Sequence, residues 1–189
     1  MPIVPDDKDW TWVLERPCPE CGFDASSVPP GSVAALLRAN AASWAHVLQQ
    51  PEDVVRRRPA DDRWAPLEYA CHVRDVCRLY HERLGLMLGE DDPLYPNWDQ
   101  DATAVANRYR EQKPATVAAQ LSMEATRLAD AFAAVRGEQW QRRGRRSDGV
   151  SFTVAGFARY MIHDPVHHLH DVTASAGGLT LPASGSSVG

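Results

Sequence analysis

The sequence contains no long apolar run, and this absence limits where the protein can work. No segment approaches the roughly 20 consecutive apolar residues that a membrane-spanning helix needs. The first ten residues, MPIVPDDKDW, also lack the basic and apolar blocks of a signal peptide. We therefore expect a cytoplasmic protein without a membrane partner.

Acidic residues outnumber basic ones, and cysteine is scarce. The net charge is -5, which argues against a protein that mainly neutralises nucleic-acid phosphates, so no nucleic-acid partner is expected. Four cysteines are too few for a disulfide framework in 189 residues. We expect them to be free thiols or metal ligands.

The distribution of apolar residues predicts a single domain. Residues 1–31 combine several prolines, two tryptophans and the turn CPECG, which indicates an N-terminal arm anchored by Trp10 and Trp12. Residues 32–178 carry four amphipathic segments, which predict an all-α fold, an antiparallel four-helix bundle. Residues 179–189 are expected to form a flexible tail.

Capping residues, prolines and glycines predict where these helices begin and end. No strand is predicted, and residues 89–101 are interpreted as a polar loop followed by a short helix. The predicted bundle helices run from the N-cap Ser32 to near Pro51, from about Pro66 to Leu88, from Pro114 to just before Gly137, and from a cap at Ser151 or Thr153 to Gly177 and Gly178.

Histidines concentrate in the last helix, in HDPVHHLH. His163 and His167 project about 40° apart and can converge on one point, whereas His168 points roughly 140° from His163 and is the least suited ligand. His72 lies on the apolar stripe of the second helix, where its ring nitrogens need a partner. We predict that His72, His163 and His167 bind one divalent metal and leave a coordination position open, as in catalytic sites. Histidines satisfied by ordinary hydrogen bonds are the alternative, and Pro165 is expected to bend the helix.

The segments RWAPLEYACHVRDV and FTVAGFARYMIHDPVHHLHDV resemble the two motif regions of the DinB superfamily, over about residues 32–176. The resemblance implies a metal ligand at His72 and a ligand pair at His163 and His167, where some relatives begin the pair with a carboxylate. It implies zinc or nickel as the metal, a homodimer in many members, and in several members chemistry on a low-molecular-weight thiol such as mycothiol. The family often has glutamine four positions after the second ligand, where this chain has Asp171.

These features predict a metal-dependent S-transferase or isomerase that acts on a thiol-linked small molecule. A metal lowers the pKa of a bound thiol or water and so generates the nucleophile. One alternative is a metal-dependent hydrolase that uses metal-bound water. Another is a non-catalytic metal-binding or ligand-binding stress protein, in which His170, Glu68 or Asp171 closes the metal position.

Three acidic or phenolic side chains are candidate catalytic groups because they lie within a helical turn of the predicted ligands. Glu68 and Asp75 flank His72, and Tyr160 precedes His163. Each is predicted to orient a ligand or move a proton, with a solvated surface group as the alternative for the two acids.

Two further motifs carry predicted binding sites. The basic run QRRGRR offers Arg142, Arg143 and Arg145 to a carboxylate or phosphate of a thiol cofactor, unless it is a solvated loop. The CPECG turn is half of a zinc knuckle, and a second, structural metal site is predicted from Cys18 and Cys21 together with Cys77 and His81. Two reduced thiols in a turn are the alternative.

Overall fold

The computed structural model describes residues 9–175, and within these residues six α-helices account for most of the chain. They are α1 (Val33–Val47), α2 (Glu52–Val55), α3 (Pro66–Gly89), α4 (Gln100–Ala106), α5 (Pro114–Ala134) and α6 (Val154–Ser175). The predicted end of the last helix at Gly177 and Gly178, and the predicted tail, lie outside the described residues.

The bundle helices begin at the predicted residues. Pro66 and Pro114 each occupy the first turn, where the N–H that proline lacks has no intrahelical partner in any case. Thr153 precedes α6 and its Oγ1 accepts a hydrogen bond from the Gly156 N–H at 3.0 Å, as an N-cap does. Ser32 is the N-cap of α1 by position, but its side chain makes no capping hydrogen bond.

Helices α1, α3, α5 and α6 form a four-helix bundle, which confirms the predicted fold. Helix α5 packs against α1 and α3, and α6 packs against the same two helices. Of the helices in residues 9–175, none combines the length and apolar character that crossing a membrane requires. The largest fully buried side chains of the bundle fill the space between the helices, and they include Trp44, Leu84, Leu121, Phe132 and Phe157.

A small three-stranded sheet corrects the prediction that the chain has no strand. Strand β2 (Arg143–Arg146) pairs in parallel with β1 (Leu94–Tyr95) and antiparallel with β3 (Ser151–Thr153). The strands are too short for an alternating pattern to be recognisable in the sequence. The sheet links the loop after α3 to the start of α6.

The described part of the N-terminal arm packs onto α6. It contains three short 3-10 helices, Thr11–Leu14, Ala25–Ser27 and Pro30–Ser32, each in contact with α6. The ring of Trp10 lies 5.5 Å from that of His163 and 5.1 Å from that of His167, between ring centroids. Arg16 lies over Trp12, 5.1 Å from its ring centroid. Trp10 therefore contacts α6, as its interpretation as an anchor of the arm requires.

Pro165 lies inside α6, in the stretch that carries the histidines. Its carbonyl oxygen accepts hydrogen bonds from Asn40 Nδ2 at 3.0 Å and Trp44 Nε1 at 3.4 Å, both on α1. Both α1 side chains are buried. These contacts fix the rotation of α6 relative to α1, and with it the direction in which each histidine points.

Candidate metal centre

Helix α3 positions His72 in the interior of the bundle. The imidazole is completely buried and stacks on Trp98, with ring centroids 5.3 Å apart and ring planes 15° apart. Trp64 lies 5.4 Å from it on another side. Trp98 is itself held by a 2.8 Å hydrogen bond from its Nε1 to Thr103 Oγ1. Two indole rings therefore fix the orientation of this histidine.

Helix α6 presents two pairs of potential ligands, offset by one residue. The first pair is His163 and His167, and the second is Asp164 and His168. Each pair has the i, i+4 spacing that puts two side chains on one helix face, and the two faces differ by about 100°. Helix α6 can therefore supply ligands to two separate sites.

The second pair meets His72 and forms what we call the three-ligand group: His72, Asp164 and His168. Nε2 of His72 lies 3.3 Å from each carboxylate oxygen of Asp164. Nε2 of His168 lies 3.9 Å from Oδ2 of Asp164. One ligand atom from each residue lies within 4.8 Å of the other two, which is close enough for one ion to bind all three.

Asp171 orients the third member of this group. Nδ1 of His168 and Oδ2 of Asp171 are 3.1 Å apart, which leaves Nε2 of His168 facing Asp164. Metal-binding histidines characteristically donate their second ring N–H to such a carboxylate. The position where the family often has glutamine is thus occupied here by a residue that contacts a candidate ligand.

A buried carboxylate oxygen of the three-ligand group favours a bound cation. Within residues 9–175, Oδ1 of Asp164 accepts no well-formed hydrogen bond, although Nε2 of His72 lies 3.3 Å from it. Burial alone would raise the pKa of Asp164, but His72 and His168 outweigh it and lower that pKa well below its usual range. A carboxylate that stays ionised beside two imidazoles is a suitable donor set for a divalent metal.

The first pair on α6 meets the CPECG turn and forms what we call the four-ligand group: Cys18, Cys21, His163 and His167. Sγ of Cys18 lies 3.7 Å from Nδ1 of His167. Sγ of Cys21 lies 3.8 Å from Nε2 of His163. All four ligand atoms lie within 4.8 Å of one another, and all four cysteines of the chain are free.

The two histidines of this group are neutral at physiological pH. Desolvation by burial, together with the neighbouring imidazole of His167, lowers the pKa of His163 to about 4. Desolvation also lowers the pKa of His167. A neutral imidazole has a free lone pair, which is the form that binds metal.

The structure distributes the three predicted ligands over two groups instead of one. His163 and His167 converge as their spacing predicts, but their partners are the two cysteines. His72 instead meets Asp164 and His168, although His168 was the histidine judged least suited. The helical projection separates His168 from His163, but it does not predict which face of α6 is turned toward α3.

The structure does not bring together the four residues of the predicted second metal site. Cys77 is fully buried in the hydrophobic core of the bundle, and neither it nor His81 belongs to the group that contains Cys18 and Cys21. The i, i+4 spacing of Cys77 and His81 is a consequence of helix geometry alone. Helix α3, which carries both residues, supplies His72 to the group that contains Asp164 and His168.

Of the three predicted catalytic side chains, two are engaged in structural contacts. Glu68 accepts hydrogen bonds from Arg58, with Nε at 2.8 Å, and from the Ala65 N–H at 2.9 Å, which caps the start of α3. Asp75 pairs with Arg74 at 2.8 Å and accepts a 2.6 Å hydrogen bond from the Tyr109 hydroxyl.

Tyr160, the third of these candidates, lies beside the three-ligand group. It precedes Asp164 by one helical turn and lines the same cleft. Burial raises the pKa of its hydroxyl, and NH1 of Arg146 approaches the hydroxyl oxygen at 3.5 Å.

The predicted basic loop is the hairpin of β2 and β3, and two of its three predicted binding arginines contact the protein itself. Arg142 donates to the carbonyl oxygens of Met87 at 2.7 Å and Glu90 at 2.5 Å. Arg145 pairs with Asp92 at 2.9 Å, and Arg143 is exposed. The arginine that reaches the cleft is the next one, Arg146.

An open cleft of about 750 Å³ reaches the α6 members of both groups, which are His163, Asp164, His167 and His168. Its walls come from the arm, the loop leading into α4, the sheet hairpin and α6. The lining residues are Asp9, Trp10, Asn97, Trp98, Asp99, Gln100, Asp101, Ala102, Arg146, Asp148, Val150, Tyr160, His163, Asp164, His167 and His168.

Comparisons with known proteins agree with the fold. The family model described as the DinB superfamily matches residues 6–172. Among solved structures, the chain is similar to YfiT from Bacillus subtilis, with 18% sequence identity, a TM-score of 0.71, and coverage of 79% of this chain and 88% of YfiT. YfiT is described as a probable metal-dependent hydrolase with an unusual four-helix bundle topology. No curated protein gives a significant match.

Proposed function

The chain belongs to the DinB superfamily, and from this premise we propose that it is a metal-dependent hydrolase acting on a small molecule at the three-ligand group. The observation that carries the proposal is the convergence of His72, Asp164 and His168 beside an open cleft, with a buried oxygen of Asp164 that accepts no well-formed hydrogen bond among the described residues. The description of YfiT as a probable metal-dependent hydrolase favours hydrolysis as the reaction.

Three protein ligands leave at least one coordination position for water or substrate, as catalytic zinc sites do. A divalent cation held by these residues would act as a Lewis acid and lower the pKa of water that reaches it. His72 is fixed by its stacking on Trp98, and His168 by its contact with Asp171. The chain therefore holds the ligands in place before any substrate arrives.

Tyr160 is proposed as a hydrogen-bond donor to the substrate. Because burial raises the pKa of its hydroxyl, this group remains protonated at neutral pH. It lies one helical turn from Asp164 on the wall of the same cleft. From there it can donate to a substrate oxygen that gains negative charge as the scissile bond is attacked.

The charge of the cleft favours a neutral or cationic substrate. Arg146 is paired with Asp148 at 2.7 Å, so its charge is already compensated. Asp9, Asp99 and Asp101 add three further carboxylates to the lining. They would repel an anionic substrate from the outer cleft, and a bound divalent cation would offset only part of this repulsion, close to the three-ligand group. This distribution argues against the sequence-based prediction that a basic loop binds an acidic thiol cofactor.

Transfer or isomerisation of a thiol adduct is the second candidate. The cleft volume of about 750 Å³ lies within the range of sites that enclose drug-sized ligands, and it exceeds what a minimal ester requires. A neutral conjugate of a mycothiol-like thiol fits both the volume and the charge. In this reaction the thiol would take the place of water as nucleophile.

The test compares metal content and turnover in matched variants. The zinc-loaded and nickel-loaded protein is assayed with a panel of neutral and cationic chromogenic esters and amides, with and without added low-molecular-weight thiol. We expect His72→Ala and His168→Ala to lose metal from the three-ligand group and to lose turnover by at least about 100-fold. His170→Ala is the control, because His170 is exposed on α6 and belongs to neither group.

The outcomes separate the candidate functions. Turnover without thiol supports hydrolysis, whereas turnover that requires thiol supports transfer. Metal binding at the three-ligand group without turnover in any assay would favour the non-catalytic binding protein. Full metal content in the His72→Ala variant would refute the proposed ligand set.

A further inference from the structure

We infer that Cys18, Cys21, His163 and His167 bind a structural zinc ion that fastens the N-terminal arm to α6. The ligands of this site are distinct from those of the three-ligand group, and the inference does not depend on the proposed function. It contains two thiols and two imidazoles, which is the ligand set of Cys2His2 zinc sites. Because all four positions come from the protein, the site is closed, as structural zinc sites are.

The distances suit zinc. In a tetrahedral site with the usual Zn–S and Zn–N bond lengths, neighbouring ligand atoms are about 3.3–3.8 Å apart. The two sulfur–nitrogen pairs that cross between the arm and α6 measure 3.7 Å and 3.8 Å. The remaining pairs lie within 4.8 Å, so small side-chain rotations would complete the tetrahedron.

The backbone on both sides already has the required conformation. In the CPECG turn, the Cys18 N–H donates to the Phe23 carbonyl at 2.9 Å, and the Gly22 N–H donates to the Cys18 carbonyl at 2.8 Å. Gly22 has a φ of +73°, which favours glycine at this position. On the other side, one turn of α6 holds both imidazoles. Little conformational entropy is therefore lost on binding.

The surroundings of His167 also match a zinc ligand. Its Nδ1 faces Cys18, while its Nε2 lies 3.6 Å from a carboxylate oxygen of Glu20 and 3.7 Å from one of Asp171. A carboxylate on the second ring nitrogen is the usual outer partner of a metal-binding histidine. Trp10 covers the two imidazole rings.

The proposed ion would join parts of the chain that are far apart in sequence. The two sulfur–nitrogen contacts link residues separated by 142 and 149 positions. On binding, the two thiols lose their protons to solvent and become thiolates, while the imidazoles bind as neutral ligands. The arm would then be held by coordination bonds in addition to packing.

The experiment uses the full chain and zinc alone as the probe. Zinc per chain is measured after dialysis, and alkylation of each cysteine is followed by peptide mass spectrometry before and after a chelator is added. We expect Cys18 and Cys21 to be protected in the zinc-bound protein and to react after chelation. Cobalt substitution should produce the thiolate-to-cobalt charge-transfer absorption in the near ultraviolet.

Variants assign the ligands. Cys18→Ser and Cys21→Ser should each lose the thiolate signal of bound zinc or cobalt, or weaken the affinity at least about 100-fold. Cys77→Ala is the control, because it removes a buried thiol outside the group, and it should retain the signal. His72→Ala should also retain it, which separates this site from the three-ligand group.

Several results would overturn the inference. They are equal alkylation of Cys18 and Cys21 with and without zinc, a Cys18–Cys21 disulfide in the protein as isolated from a reducing cytoplasm, or an unchanged thiolate signal in Cys21→Ser. Since Cys18→Ser could unfold the arm, the alkylation experiment on the wild-type protein decides the matter without any substitution.

Discussion

Gly144 lies where the small sheet meets the end of α3, and we predict that Gly144→Ala destabilises the protein. A Cβ atom at this position would lie 2.6 Å from Cγ of Met87 and 3.1 Å from Cε1 of Tyr95. Carbon atoms in good contact are about 3.5–4.0 Å apart. Met87 and Tyr95 are both almost completely buried, so neither can turn into solvent without opening the core.

The expected size of the effect follows from this crowding. Overpacking a buried site by one methyl group costs about 1–3 kcal/mol when the neighbours have to shift. For a protein of this length, each kcal/mol lowers the Tm by roughly 2–4 °C. We therefore expect the Tm of Gly144→Ala to fall by roughly 2–12 °C.

The measurements are thermal unfolding, which gives the Tm, and urea unfolding, which gives the free energy, both on the metal-saturated protein and followed by circular dichroism, with Gly85→Ala as the control. Gly85 is exposed in the interior of α3 and an added Cβ meets no atom within 4 Å. Its replacement should stabilise the protein by about 0.5–1 kcal/mol, because alanine favours the helix. If Gly144→Ala were as stable as the wild type, the described packing of β2 against Met87 and Tyr95 would be wrong.

Three further predictions concern the site and its supports. Asp171→Asn should weaken metal binding at the three-ligand group by about 10–100-fold, because the contact with His168 loses its charge. The affinity is measured by competition with a chromogenic chelator, and an unchanged affinity would contradict this role of Asp171. In the metal-free protein, the pKa of His163 in the folded state is about 4, below its ordinary 6.5, so the unfolded chain binds more protons between these values. The contribution of His163 to the free energy of unfolding should be fully present above pH 6.5 and should fall by up to about 3 kcal/mol as the pH falls toward 4. In urea titrations at several pH values, His163→Gln should reduce this dependence on pH. Glu68→Gln should cost about 1–3 kcal/mol of stability, because the Arg58 guanidinium loses its carboxylate partner. Metal content and turnover per folded molecule should stay unchanged. A loss of turnover without a loss of stability would restore Glu68 as a catalytic candidate.

Much of the fold could be predicted because its signals are local. Pro66, Pro114 and Thr153 mark helix starts through covalent geometry or capping, which do not depend on distant parts of the chain. The sheet could not be predicted, since β1 has two residues and gains its stability from pairing with β2, far along the sequence. Such pairing leaves no periodic pattern.

The site was predicted only in part, for a geometric reason. The sequence HDPVHHLH contains two ligand pairs one residue apart, and a choice between them needs the rotation of α6 in the bundle. That rotation is fixed by contacts such as those from Asn40 and Trp44 to the Pro165 carbonyl, which no local pattern reveals. Each pair belongs to one of the two candidate groups. Four potential ligands within six residues could therefore have indicated two sites.

The two walls of the cleft differ in how strongly they are tied to the bundle, and this difference affects how substrate selectivity can change. One wall is α6, whose packing is tied to the whole bundle, whereas the facing wall consists of Asp9, Trp10 and residues 97–102 at the periphery. Insertions and exchanges in peripheral segments leave a helical core intact. Related chains could therefore change their substrate by exchanging cleft residues such as Asp9 and Asp101, while Trp98 still holds His72 and the three-ligand group stays the same.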